Sequence, residues 1–201
     1  MSVDLNWQNL EDAVNNCRNC VLSSGRLNAV LGRGSRTAPI MFVGEGPGRQ
    51  EDEQGLPFVG PAGKLLNDAL EALGFGAEDY YIANVVKCRP PENRTPRPEE
   101  ATACLGFLRA QFALVRPKII VCLGAVAHTN LSGSSETVSK ARGRWTDRKG
   151  TLFMTTFHPA ALLRDESKKI FFWQDLEQVK EKAETLGLIP ANRYFNQAGD
   201  K

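Results

Sequence analysis

Pro39-Ile-Met-Phe-Val43, closed by Gly44, and Ile119-Ile-Val-Cys-Leu123, closed by Gly124, are short runs without a charged residue. Apolar runs of this length ending at glycine are buried strands. Working outward, Tyr80 to Val86 is a third strand, rich in aromatic and β-branched residues, and Leu152 to Phe157 a fourth. Helices separate them. From Pro61 to Leu73, Leu65, Leu66, Ala69, Leu70 and Leu73 recur at helical spacing before the stop at Gly74. Pro98 to Val115 opens with Glu99 and Glu100, where a helix dipole favours carboxylates. Gly124 to Leu131 is a short helix. Ser167 to Leu186 is amphipathic, with Phe172, Leu176, Val179, Ala183 and Leu186 on one face. Strands alternating with helices imply a mostly parallel sheet covered on both sides. Ligands of such sheets bind at the C-terminal strand edges. That directs attention to three loops: Gly44 to Gly60, Lys87 to Pro98 and His158 to Arg164.

The 201 residues, 42% of them hydrophobic, suit a single domain over 1–201, with a flexible tail over 192–201. A net charge of +2 does not announce a nucleic-acid partner. The distribution says more. Lys87, Arg89, Arg94 and Arg97 form one basic run, Lys140, Arg142, Arg144, Arg148 and Lys149 a second, and Arg164, Lys168 and Lys169 a third. Each falls near a candidate loop, so a phosphate-tracking face is expected beside the alternative of plain solvated charges. The N-terminal stretch is polar, without the apolar core of a secretory signal, and no segment is apolar for long enough to span a bilayer. A cytoplasmic, monomeric protein with no membrane association is the expectation.

In a reducing compartment the five cysteines read as metal ligands or core residues before disulfides. Cys17 and Cys20 form a C-x-x-C pair, and Cys88 and Cys104 flank a proline-rich loop. Cys122, inside an apolar strand, reads as core. The remaining four could complete a site for zinc or for a [4Fe–4S] cluster, and spacing does not decide between them.

Gly44-Glu-Gly-Pro-Gly48 follows a strand but lacks the last glycine of a dinucleotide fingerprint, where Arg49 stands. It does offer a carboxylate, Glu45, and glycines that let backbone N–H groups approach a small planar ligand. Phe58 is an aromatic ring in a loop, either a packing anchor or a stacking platform. Asn84 lies in a strand, where Asn is depleted. Its amide carries a donor and an acceptor side by side and serves either a structural hydrogen bond or base recognition. His158 is aimed by Pro159, whereas His128 is structural or exposed.

Taken together, five segments resemble the family 4 uracil-DNA glycosylases: Gly44-Glu-Gly-Pro-Gly-Arg-Gln-Glu-Asp52, Gly55-Leu-Pro-Phe-Val-Gly-Pro-Ala-Gly63, Asn84-Val-Val-Lys-Cys-Arg-Pro-Pro91, Asn93-Arg-Thr-Pro96 and His158-Pro-Ala-Ala-Leu-Leu-Arg164. They come in the family's order, and the resemblance runs from Cys17 to about Leu176. It implies a three-layer α/β/α sandwich around a four-stranded parallel sheet. It also implies a [4Fe–4S] cluster on Cys17, Cys20, Cys88 and Cys104, which turns the zinc alternative towards iron. The implied activity is excision of uracil from double- or single-stranded DNA. The resemblance puts Glu45 and Gly46 against the base and the attacking water, Phe58 in a stack on the flipped uracil, Asn84 on its N3–H and O4 edge, and His158 at O2. It puts Glu51 where thymine's C5 group would be crowded out, and Leu162, or its neighbour Leu163, at the wedge that fills the vacated stack. Arg89, Arg94 and Arg164 are the expected phosphate contacts. Two rival readings are a protein that binds uracil-DNA without turnover and a redox-responsive DNA-binding protein that retains the cluster.

Overall fold

The structure is a computed structural model and describes residues 5–191; the tail expected over 192–201 lies outside the described residues. The elements run α1 (Trp7–Asn15), β1 (Arg33–Gly34), β2 (Ile40–Gly44), α2 (Arg49–Gln54), α3 (Pro61–Ala72), β3 (Tyr80–Asn84), α4 (Pro98–Val115), β4 (Ile119–Leu123), α5 (Ala125–Ser132), α6 (Val138–Ala141), β5 (Thr146–Arg148), β6 (Thr151–Thr156), α7 (Pro159–Arg164) and α8 (Lys168–Thr185). The sheet order is β1-β3-β2-β4-β6-β5. Its centre, β3-β2-β4-β6, is the expected set of four parallel strands. The sheet is nevertheless six-stranded and mixed, because β1 and β5 add antiparallel edges. Neither edge carries an apolar signal: β1 has two residues, and β5 is exposed throughout. Pairing of β5 depends on the turn at Lys149 and Gly150, both left-handed (φ 54° and 82°), as a tight hairpin requires.

The pleat sorts the central strands between two cores. Ile40, Phe42, Ile119, Val121 and Leu123 pack with Leu66, Leu70, Leu162, Phe172 and Leu176 from α3, α7 and α8. The alternate residues, Met41, Val43, Ile120 and Cys122, pack with Ala101, Leu108 and Ala127 from α4 and α5. Two buried faces explain why the strands read as unbroken apolar runs. They also make the expected three layers. Cys122 is buried in the second core, as its strand position implied. The chain leaves β2 towards the face of α3 and β3 towards the face of α4. The crevice between these exits is the ligand position of such sheets.

Candidate active site

The loops after β2, β3 and β6 enclose a cavity of about 540 Å³ lined by Glu45, Phe58, Asn84, Thr95, His158 and Arg164, among others. Gly46 and Glu51 also line it. Thus the structure brings together the base-contacting residues expected from sequence. Asn84 ends β3 with its side chain buried, and its Oδ1 has no hydrogen-bond partner among the described residues. Buried amide oxygens are rarely left so. Gly44 makes the approach possible: a Cβ there would lie 2.5 Å from Asn84 Oδ1 and 2.6 Å from Phe58 Cζ.

Phe58 holds a left-handed backbone (φ 55°), a conformation aromatic residues avoid. Its carbonyl accepts from Arg33 Nη2 at 3.3 Å and from Asn67 Nδ2 at 3.5 Å, while Arg33 donates to Asn67 Oδ1 at 2.6 Å. Gly63 lets α3 press against this turn, since a Cβ there would lie 2.0 Å from the Phe58 carbonyl oxygen. Glu51 completes the support. Its carboxylate accepts from the backbone N–H groups of Gly48 (3.1 Å), Val59 (2.9 Å) and Gly60 (2.7 Å), closing the loop around Phe58. It therefore has a hydrogen-bonding task in the loop besides its place on the cavity wall.

His158 caps α7, and its Nδ1 accepts from the backbone N–H of Ala160 at 3.1 Å. Accepting at Nδ1 puts the ring proton on Nε2 and makes that nitrogen a donor. Burial, reinforced by the nearby Arg164 charge, pushes the imidazole down to about 4, so the ring is neutral at physiological pH. Its centroid lies 5.8 Å from that of Phe58. Glu45 is half-buried and raised above the usual carboxylate range by burial, partly offset by a hydrogen bond with Thr95 and by the charge of Arg164. Thr95 had no assigned role in the sequence reading. A Thr between Arg94 and Pro96 carries no local sign that it will meet a carboxylate fifty residues earlier. His128 is buried, with Nδ1 2.7 Å from the Thr155 hydroxyl, consistent with a structural role.

Several expectations need correction. Leu162 is 0% exposed and belongs to the core, whereas Leu163 is 51% exposed and lines the cavity. A wedge must protrude, so only Leu163 has the required placement. The basic runs largely dissolve into internal contacts. Lys87 is buried. Arg94 forks onto Glu100 at 2.8 and 2.7 Å and holds that carboxyl down at about 2, so most of its bonding capacity is used inside the protein. Arg142 bonds Asp175, Arg144 pairs with Glu136, and Arg148 donates to the carbonyls of Leu131 and Ser132. Arg89 is partly exposed and donates to Asn93 at 2.7 Å, and Arg164 is exposed on the cavity rim.

A second, small cavity is lined by Cys17, Cys20, Cys88 and Cys104 together with Arg26 and Lys87. Three of the four sulfurs accept N–H bonds: Cys17 from Asn19 N (3.4 Å), Cys88 from Arg26 Nη1 (3.0 Å) and Cys104 from Lys87 N (3.3 Å). All four are free thiols. Burial raises Cys88 and pushes Cys104 up to about 11. Among the described residues, no three metal-binding side chains converge closely enough to hold a single metal ion. An all-sulfur donor set gathered from three segments and met by N–H donors does fit an iron–sulfur cluster, whose potential depends on such bonds.

The geometry can be set against known proteins. Residues 31–179 match the family model described as the uracil DNA glycosylase superfamily, a span that includes the whole cavity lining. The chain is 45% identical over 175 residues to a "Type-4 uracil-DNA glycosylase" of Thermotoga maritima, covering 85% of this chain and 91% of that protein. It is 40% identical over 183 residues to a protein of the same name from Pyrobaculum aerophilum, covering 86% and 92%. A "Type-5 uracil-DNA glycosylase" of Pyrobaculum aerophilum is 31% identical over 147 residues, 64% of each chain. With the model match spanning well over half the sequence, the chain belongs to the uracil DNA glycosylase superfamily.

Proposed function

We infer that this chain is a uracil-DNA glycosylase, an enzyme that hydrolyses the N-glycosidic bond of deoxyuridine in DNA and leaves an abasic site. The observation that carries the reading of the site is the Asn84 amide, buried beside Phe58 and His158 with its Oδ1 unpaired. A uracil extruded from the stack offers the matching edge: N3–H donates to Oδ1, and O4 accepts from the amide nitrogen. Phe58 stacks on the base, Gly46 lets backbone come close to it, and Glu51 crowds the C5 position against thymine. As C1′–N1 breaks, its electron pair leaves on the uracil ring, and the Nε2–H of neutral His158 stabilises the charge at O2. The sugar, electron-poor at C1′, takes up the oxygen of a water molecule that Glu45 orients, and that water's proton passes to the Glu45 carboxylate.

Leu163 fills the gap left by the extruded base, and Arg89 and Arg164 meet flanking phosphates, with Arg94 contributing through the loop it holds. The cysteine cavity is read as the seat of a [4Fe–4S] cluster on Cys17, Cys20, Cys88 and Cys104. When bound, the cluster supplies a cross-link between the N-terminal segment and the loop that precedes α4. The chain acts as a single domain and a monomer on DNA in the cytoplasm. Among the described residues, no helix is long and apolar enough to cross a membrane.

The test is incision of oligonucleotides carrying uracil opposite G, uracil opposite A, or uracil in a single strand. Release of free uracil with turnover is expected. Tight binding without release of uracil would defeat the enzymatic reading.

A further inference from the structure

Lys87 leads a basic run in the sequence, yet it is 1% exposed. Its Nζ donates to the backbone oxygen of Asn84 at 2.7 Å and to Gln111 Oε1 at 2.6 Å. Gln111, also buried, is fixed in turn through its own amide nitrogen by the Leu31 carbonyl (2.8 Å) and the Tyr81 hydroxyl (3.1 Å). At its other end, the Lys87 backbone N–H donates to Cys104 Sγ at 3.3 Å. One residue therefore touches both the base slot and the cysteine cavity, through different groups. Both oxygens that receive the ammonium are formally neutral. Burying a cation against neutral acceptors is costly. A methionine of similar length would avoid that cost but leave both buried oxygens without this donor, so the ammonium serves those two acceptors.

The slot supplies a reason. Oδ1 of Asn84 has no partner among the described residues, so no hydrogen bond at that atom holds the amide in the plane of the ligand. The backbone offers such a hold, because the Asn84 carbonyl takes the Lys87 ammonium. We propose that Lys87 is a positioning residue for Asn84: it fixes the carbonyl at the end of β3, and with it the side-chain amide, while its own N–H ties the same turn to Cys104. The proposal rests on Asn84 as the base-reading group and adds what orients it. Because a misplacement of about 1 Å in such a site costs on the order of 10²-fold in rate, a loosened Asn84 has a measurable consequence.

The decisive experiment is a double-mutant cycle on the holoprotein, using wild type, K87M, N84A and K87M/N84A. Single-turnover excision from a uracil oligonucleotide is measured together with inhibition by free uracil, melting temperature and iron content. K87M is expected to slow excision by about 10²-fold and to weaken inhibition by free uracil in parallel. The double variant should be no slower than N84A, because Lys87 acts through that side chain. Multiplying effects, or a K87M slowdown that leaves free-uracil inhibition untouched, would place the action of Lys87 elsewhere and overturn the proposal. N84A cleaving at the wild-type rate would instead remove the base-reading role itself, and the positioning role with it. Should K87M fail to fold, K87Q, which keeps a shorter donor, is put through the same cycle with the same two outcomes.

Discussion

Oδ1 of Asn84 is buried without a partner among the described residues in the proposed base slot, whereas three of the four sulfurs at the cysteine cavity already accept N–H bonds. The two regions lie on either side of Lys87 and handle polar atoms in opposite ways. A slot for a ligand that comes and goes has to keep its recognition atoms unspent, and the fold carries the cost of leaving them so. The slot's rigidity comes from behind: Ala160 N–H fixes the His158 ring, Glu51 closes the loop, and Arg33 with Asn67 holds the strained Phe58. A seat for a resident group can surround its donors with N–H groups, because those bonds persist when the group is bound.

The comparison breaks most sharply at His158. If its Nε2–H acts on the leaving uracil, His158→Ala should lower single-turnover cleavage by about 10²–10³-fold, with a much smaller loss of affinity for uracil DNA. Iron content should be unchanged. Poor binding with normal cleavage at saturation would make His158 a binding group only.

The cysteine region should give the reverse pattern. Cys88→Ser or Cys104→Ser should remove iron and visible colour, and a loss of about 2 kcal/mol would lower the melting temperature by roughly 4–8 °C. Cys122→Ala should keep the colour, since Cys122, which shares the second core with Cys88 and Cys104, does not line the cavity. Stoichiometric zinc without iron in protein purified anaerobically would reassign the site.

Leu162 and Leu163 sharpen the boundary between packing and function. Leu162→Ala removes a fully buried side chain and should cost about 2–5 kcal/mol of stability. Leu163→Ala should leave melting within about 0.5 kcal/mol of wild type and slow base flipping, followed with a fluorescent base beside the uracil. Equal melting losses in the two variants would refute the assignment of the wedge.

The smallest effect concerns pH. Burial raises Glu45 and lowers His158 to about 4. The proposed chemistry needs the first ionised and the second neutral, so both conditions are met on the alkaline side. With Glu45 raised by burial, an acid limb produced by its ionisation should vanish in Glu45→Gln. Stability has the opposite dependence on the two groups. The raised Glu45 contributes stability below its unfolded value that is lost as the pH rises through its folded value, so Glu45→Gln should melt slightly higher at neutral pH. The depressed His158 contributes above its ordinary 6.5, and that contribution is lost as the pH falls towards about 4. Melting curves of wild type, Glu45→Gln and His158→Ala, taken from about pH 4 up to neutral pH, check the signs.

Runs such as Ile119-Ile-Val-Cys-Leu123 and the leucine spacing of α3 determined the central strands, the long helices and the layers on their own, because burial writes a local period into the chain, whereas the short α2 and α7 lie in stretches that read as loops. Glu45, Phe58, Asn84 and His158, which line one cavity, stood out for a related reason, each being an unusual side chain at a strand end or in a loop. Charges were not. Lys87 and Arg94 look alike in the sequence as members of one basic run, yet one is buried under Asn84 and the other is locked onto Glu100. The choice between Leu162 and Leu163 and the antiparallel edges β1 and β5 were equally hidden. A leucine pair on a short helix, a two-residue strand and a polar strand have too little periodicity to show which side faces inward. Whether a charge is solvated or paired depends on partners brought together from elsewhere in the chain, so the tertiary structure alone decided it.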